Sequence, residues 1–412
     1  MSEQSKQHER VLKDFLKDLH KDLKLAGRPK NSILEISEEL LTYLVLLLKD
    51  EIPQKPSATE EDWFELIDIL MYHGIIPLLY WKAGRLPAEL KPPEKVQDKM
   101  RRIFLASRTR LLQTENQLKG IVDAFVDKGI DLIVLKGPAL ARTCYPDPVT
   151  RVSDDIDLLV KSDDFIESRN ILKSLGYLCL GNRFEKSKDF FCEEVFIHEK
   201  GEAVFCQVEL HWDLLRFDAV KRKDYLVDLF NHSVLVKTSS ISFYSLSRID
   251  MLLHLVLHLG WDHNQSMRLN WIYDIKLLVN SLKVPEDWEV LQRKCVEWNA
   301  VFAMKYSLEM IKVWTGFELP DQFSDLTKWP KPSKTETDEW PNAIRWHKSV
   351  SSLIKLHCSE SSGILEKSKY FFNLFFPPGE SIKRSFPPSN DLLLPVSYIR
   401  RWWKWIKVAV CR

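Results

Sequence analysis

No apolar run in this 412-residue chain approaches the ~20 residues a membrane-spanning helix needs; the longest covers residues 40–48. Paired cysteines are missing as well. The seven cysteines (Cys144, Cys179, Cys192, Cys206, Cys295, Cys358 and Cys411) are scattered, odd in number and never in a CxxC spacing. That pattern argues against a disulfide framework or a structural zinc site and suits a reducing, cytoplasmic setting. There is no excess charge of either sign. Lys and Arg total 59 and Asp and Glu 58, a net charge of +1, so any attraction to nucleic acid must come from a local patch. The polar, charged N-terminus carries no apolar core of a secretion signal, and no internal repeat is visible.

What remains is an ordinary globular composition, 45% hydrophobic and 28% charged, with length for two to three domains. Apolar residues at three- and four-residue spacing (Leu12, Phe15, Leu19, then residues 33–48) predict N-terminal helices. After a break at residues 51–59, Ser57 or Thr59 ahead of Glu60, Glu61 and Asp62 reads as the cap of a helix carrying Trp63, Leu66 and Ile69. A further helix is expected over residues 93–128. The character then changes to short β-rich runs at 131–135, 156–160, 190–197 and 204–211, with a helix near 164–175 closed by Gly176. Residues 198–203 read as the loop of a hairpin. Helices return at 248–260, 270–281, 288–298 and 302–314. The expectation is an α+β (mixed α/β) fold: a helical region 1–95, a small mixed-sheet core 96–240, and a helical region 241–412 with a mobile loop near 319–346.

One segment carries chemistry. An apolar strand ends at Lys136-Gly137-Pro138, and Asp155-Ile-Asp157-Leu-Leu-Val opens the next. Side chains alternate along a strand, so Asp155 and Asp157 share a face while Ile156 and Leu158 point to the core. An acidic pair is an odd choice at the entrance of so apolar a strand. In residues 204–211 the same alternation puts Glu209 on a face with Phe205, Gln207 and His211, able to aim at the same place. Three carboxylates offer the hard oxygen donors that magnesium prefers, and two such ions bracket an in-line phosphoryl displacement. Nucleotidyl transfer is the reading these residues support.

Lys136-Gly137, Arg151, Asp155-Ile-Asp157 and Val208-Glu-Leu-His-Trp212 resemble an uncharacterised bacterial and archaeal nucleotidyltransferase family of the DNA polymerase beta-type superfamily. The likeness extends to Trp63 and His73-Gly-Ile-Ile-Pro77 upstream, and to His254, His258 and Arg268-Leu-Asn-Trp-Ile-Tyr-Asp274 downstream. It implies Asp155, Asp157 and Glu209 as metal-binding catalytic carboxylates for Mg2+ (or Mn2+). It also implies NTP, ATP among the candidates, as substrate, with pyrophosphate released. The acceptor would be a small molecule, a peptide or protein, or RNA. Where the superfamily has glycine followed by glycine or serine, this chain has Pro138, which has no N–H for phosphate. Lys136, Gly137, Arg151 and Ser153 are the expected nucleotide-binding residues. Arg151 has a second reading as a partner for Asp154 or Asp155. The rivals are a toxin-like enzyme modifying tRNA or a peptide, and an inactive nucleotide-binding or interaction protein.

Other signals have structural readings. His254 and His258, with Asp262 and His263 nearby, have zinc-compatible spacing but interrupt an apolar run, which favours packing. Asp274 sits on an apolar helix and can pair with Arg268 or a histidine, or support the site; His211 can orient Glu209. Tyr145-Pro-Asp-Pro148 can form a loop over the nucleotide. Residues 399–412 hold five cations, no acids and three tryptophans. As a helix they would dock on the protein, as the apolar residues 371–376 would, or touch a membrane surface or RNA.

Overall fold

The computed structural model describes residues 37–181, 184, 192–200, 203–214, 225–259, 268–334 and 336. Four helices come first: α1 (Glu38–Leu48), α2 (Glu60–Tyr72), α3 (Ile76–Ala83) and the 34-residue α4 (Glu94–Asp127). Of the two candidate caps, Thr59 is the one used. Its hydroxyl accepts from the Asp62 N–H and the Asp62 carboxylate returns to the Thr59 N–H, a capping box reinforced by acids in the first turn.

The middle of the chain supplies β1 (Ile133–Leu135), α5 (Lys136–Thr143), β2 (Asp155–Leu159), α6 (Phe165–Ser174), β3 (Leu178–Cys179), β4 (Glu193–Lys200) and β5 (Ala203–His211). They are followed by α7 (Tyr225–Asn231), β6 (Val234–Lys237) and β7 (Ser242–Ser245). The strands form one mixed sheet in the order β3-β4-β5-β2-β1-β7-β6. β2 lies antiparallel to β1 and parallel to β5, β4 and β5 form the hairpin, and β7 joins the far side parallel to β1. This is the mixed α/β class the sequence predicts. Gly176 closes the turn after α6 with a positive φ of 89°, the conformation glycine adopts without penalty.

Three expectations change. β4 runs on to Lys200 and β5 resumes at Ala203, so most of the expected loop 198–203 is strand. The strands β6 and β7, which extend the sheet to Ser245, were not expected from the sequence. Lys136-Gly137 is not a free turn but the first residues of α5. Pro138 explains the difference: its fixed φ suits a first helical turn, where its missing N–H costs no intrahelical bond.

Four helices close the described fold: α8 (Arg248–Leu257), α9 (Leu269–Asn280), α10 (Pro285–Glu297) and α11 (Val301–Thr315). One apolar cluster joins them to the sheet and to the N-terminal helices, running through Leu40, Phe125, Val134, Leu158, Val208, Leu252 and Ile275. Within the loop expected near 319–346, the described part is tied down. Trp329 is buried with its indole N–H on the Phe323 carbonyl at 3.0 Å, and Glu336 accepts from the Phe302 N–H at 2.8 Å. The helix expected around Leu12, Phe15 and Leu19, residues 371–376, the tryptophan-rich stretch 399–412, and Asp262 with His263 lie outside the described residues.

Candidate active site

The parallel pairing of β2 with β5 sets Asp155 opposite Gln207, Asp157 opposite Glu209 and Leu159 opposite His211. Both strands expose alternate residues to one face, so the acids of β2 and Glu209 gather there. Ile156, Leu158, Val208 and Leu210 are fully buried on the other face. Carboxylate oxygens of Asp157 and Glu209 and a ring nitrogen of His211 lie within 4.8 Å of one another, close enough to share a metal ion. Asp155 stands outside that triplet but lines the same cavity. The donors are mostly hard oxygens, which fits magnesium or manganese.

Each carboxylate has fixed neighbours. His211 Nε2 is 3.2 Å from Asp157 Oδ1 and 3.9 Å from Glu209 Oε2. Its Nδ1 lies 3.8 Å from Glu193 Oε2. His211 therefore orients Asp157 more closely than Glu209, the partner expected from sequence. Gln207 donates to Glu209 Oε1 at 2.7 Å. The Lys136 ammonium lies 3.5 Å from Asp157 Oδ1, and Lys136 itself adopts φ +42°, an uncommon conformation for a side-chain-bearing residue. The Ser153 hydroxyl donates to the Asp155 carbonyl at 2.9 Å and lies 3.4 Å from its Oδ1. Cys192, Glu193 and His211 form a second cluster of possible ligands that shares His211 with the first.

Burial and crowding split the acids. Asp155 is pushed up to about 6 by burial and then by the Asp157 charge, and Glu209 to about 7 for the same two reasons. Burial would also raise Asp157, but Lys136 and the His211 hydrogen bond outweigh it and hold that carboxyl well below the usual range. Burial opposes the His211 charge, yet its bond to Asp157 raises it above an ordinary histidine. The result is one firmly ionised acid between two that retain protons into the neutral range, an arrangement a divalent cation would reverse.

Arg151 is committed elsewhere. Its Nε donates to Asp274 Oδ1 and its Nη2 to Asp274 Oδ2, both at 2.8 Å, and the Tyr145 hydroxyl donates to the same carboxylate at 2.7 Å. All three are buried. Neither Asp154 nor Asp155 is the main partner of Arg151, and neither Arg268 nor a histidine is that of Asp274. Tyr145 is packed against α9 and not laid over the cavity. Asp274 thereby ties α9 to the segment that leads into Asp155.

The cavity in front of the acids measures about 890 Å³. Lys136, Gly137, Ser153 and Arg151 line it with the three carboxylates, and α2, α4 and α9 wall it through Tyr72, Arg110 and Trp271. His258 lines it too, although its place in an apolar run suggests packing. Its neighbour His254 is buried, its Nε2 makes no hydrogen bond among the described residues, and burial, then Lys136, keeps it neutral. The spacing of the two histidines is plain in the sequence; what it does not show is that His258 reaches the cavity that holds the acids.

A family described as uncharacterised nucleotidyltransferases has a model that matches residues 59–316. No curated protein matches the chain. Among solved structures, the chain is similar to the solution structure of the antibiotic-resistance factor ANT(2'')-Ia, with 16% identity and a TM-score of 0.33 over 50% of this chain and 96% of that one. It is also similar to a crystal structure of an antigenic nucleotidyltransferase-like protein from Paracoccidioides brasiliensis, with 16% identity and a TM-score of 0.30 over 46% and 91% of the two chains.

Proposed function

The chain belongs to the uncharacterised nucleotidyltransferase family, and from that premise we propose that it transfers a nucleoside monophosphate from NTP to an acceptor hydroxyl or phosphate, releasing pyrophosphate. The observation that carries this reading is the β2–β5 register, which sets Asp157 beside Glu209 with Asp155 two residues away at one end of a nucleotide-sized cavity.

Asp155, Asp157 and Glu209 are the groups that would hold Mg2+ or Mn2+, which when bound supplies charge stabilisation to the phosphoryl oxygens and acidifies an acceptor hydroxyl. The residues prepare the rest. Lys136 and His211 keep Asp157 ionised and in place, Gln207 orients Glu209, and Ser153 fixes the entry to β2. The acceptor oxygen forms a bond to the α-phosphorus, and the bond from that phosphorus to the oxygen bridging toward the β-phosphate breaks. Pyrophosphate leaves with the electron pair, while the acceptor proton passes to a carboxylate of the cluster.

The acceptor is a small molecule, a peptide or an RNA end. The near-neutral charge of the chain weighs against a long nucleic acid, which needs many phosphate contacts. No described helix is long and apolar enough to cross a membrane, and a cytoplasmic site of action accords with the scattered, odd-numbered cysteines, of which the four described side chains are free thiols. Incubation with magnesium and each labelled NTP, with total RNA, protein lysate or a metabolite extract, tests the reading. Label should appear in one acceptor class with pyrophosphate released. Asp157→Ala labelling its acceptor as well as the native chain, or NTP binding with no pyrophosphate from any mixture, would sink it.

A further inference from the structure

We propose that Arg110 and Arg268 form an anion clamp that takes the polyphosphate tail of the nucleotide. This rests on the nucleotidyl-transfer reading and names the residues that do what Arg151 was expected to do.

A triphosphate brings several negative charges to a site that already holds three carboxylates, so cations or backbone donors must meet it. The donors around the acids are already engaged. Lys136 faces Asp157, Arg151 forks onto Asp274, and the Ser153 hydroxyl is on the Asp155 carbonyl. Pro138 has no N–H to offer at the start of α5. Arg110 from α4 and Arg268 at the start of α9 also line the cavity, and they converge. Arg110 Nη1 pairs with Asp154 Oδ1, and Arg268 Nη1 lies 3.9 Å from Asp154 Oδ2.

Two guanidinium groups on one carboxylate leave a net positive charge. Asp154 and both arginines line the same cavity as Asp155, Asp157 and Glu209, so a phosphate chain anchored at the acids meets the pair within it. The Arg268 guanidinium lies 5.2 Å from the Tyr72 ring centroid and 5.4 Å from that of Trp271. Aromatic walls hold such a group by its faces and leave its edge N–H groups for an anion. Side-chain exposures of 58% for Arg110, 35% for Arg268 and 61% for Asp154 let the partners exchange. Asp154 is then a place-holder that keeps the two arginines together until a phosphate displaces it.

The clamp distinguishes nucleotides by their tails. With the full chain and magnesium, calorimetry should give dissociation constants for ATP, pyrophosphate and AMP on the native protein, Arg110→Ala, Arg268→Ala and Asp154→Asn. Each arginine variant should weaken ATP and pyrophosphate by about tenfold or more and AMP by less than about twofold. Asp154→Asn should tighten ATP and pyrophosphate, since it removes the competing charge; this opposite sign cannot come from a misfolded site. Unchanged ATP affinity in both arginine variants, or equal weakening of ATP and AMP, overturns the clamp. A native chain that binds neither ATP nor pyrophosphate overturns the nucleotidyl-transfer reading, and the clamp with it.

Discussion

The Ser153 hydroxyl fills the space that a side chain at position 137 would need: a Cβ built on Gly137 falls 2.1 Å from Ser153 Oγ and 2.8 Å from Ser153 Cβ. The glycine therefore serves a close approach. It lets the first turn of α5, which carries Lys136, press against the residues that lead into Asp155, so the cation and the acids are set by one contact.

That contact gives a prediction with a reversed sign. Inside a helix, Gly→Ala ordinarily gains about 1 kcal/mol. Here Gly137→Ala should instead lose ~1–3 kcal/mol from overpacking, seen as a lower melting temperature in thermal unfolding. Both offending atoms belong to Ser153, so the double variant Gly137→Ala with Ser153→Gly should recover much of the loss. A Gly137→Ala protein more stable than the native one would show that the two segments do not meet this way.

The acid cluster should make the metal-free protein pH-sensitive. Asp155 rises from an ordinary 3.8 to about 6 and Glu209 from 4.5 to about 7. Groups whose folded values are raised contribute stability that is complete below their ordinary values and disappears as pH climbs through the raised ones. His211, also raised, acts in the same direction. Thermal unfolding without metal should therefore show a loss on the order of 2–4 kcal/mol between about pH 4.5 and 7.5. Magnesium should restore much of it at pH 8, where the carboxylates are ionised and free to bind. Asp155→Asn should flatten the pH dependence and raise the metal-free melting temperature at pH 8 while abolishing transfer. A flat profile in the native protein would mean that the acids do not crowd one another.

Much of this site could be read from the sequence because strand alternation is local. The spacing of Asp155, Asp157 and Glu209, with apolar residues between, dictates which side chains share a face whatever the sheet order. The neighbour relation between β2 and β5, which turns shared faces into one cluster, depends on a crossover of many residues and left only the family likeness as a clue. The reading of Lys136-Gly137 as a turn failed because the glycine suggested a loop, whereas Pro138 is equally at home in a first helical turn. Arg151 looked like a phosphate ligand because its partner Asp274 is 123 residues further along. Spacing cannot expose such a pair. His258 was read as packing for a related reason: an apolar run signals burial, yet a half-buried residue within it still borders the cavity.

The Arg151–Asp274 pair has its own expected signature. Removing one partner of a buried ion pair leaves the other charge without compensation and costs ~3–5 kcal/mol, whereas replacing both with apolar residues is often close to neutral. Arg151→Met and Asp274→Leu should each lower the melting temperature strongly, and the double variant should lose far less than their sum, a coupling measurable in a double-mutant cycle. Tyr145→Phe removes only one donor from Asp274 and should cost about 1 kcal/mol. Stability and transfer should then separate. Arg151 joins α9 to the segment ahead of Asp155, so the double variant should fold yet bind magnesium more weakly and turn over slowly, with KM for NTP changed less than kcat. If the folded double variant kept native kcat, the pair would be a packing device alone and would have no part in aiming the acids.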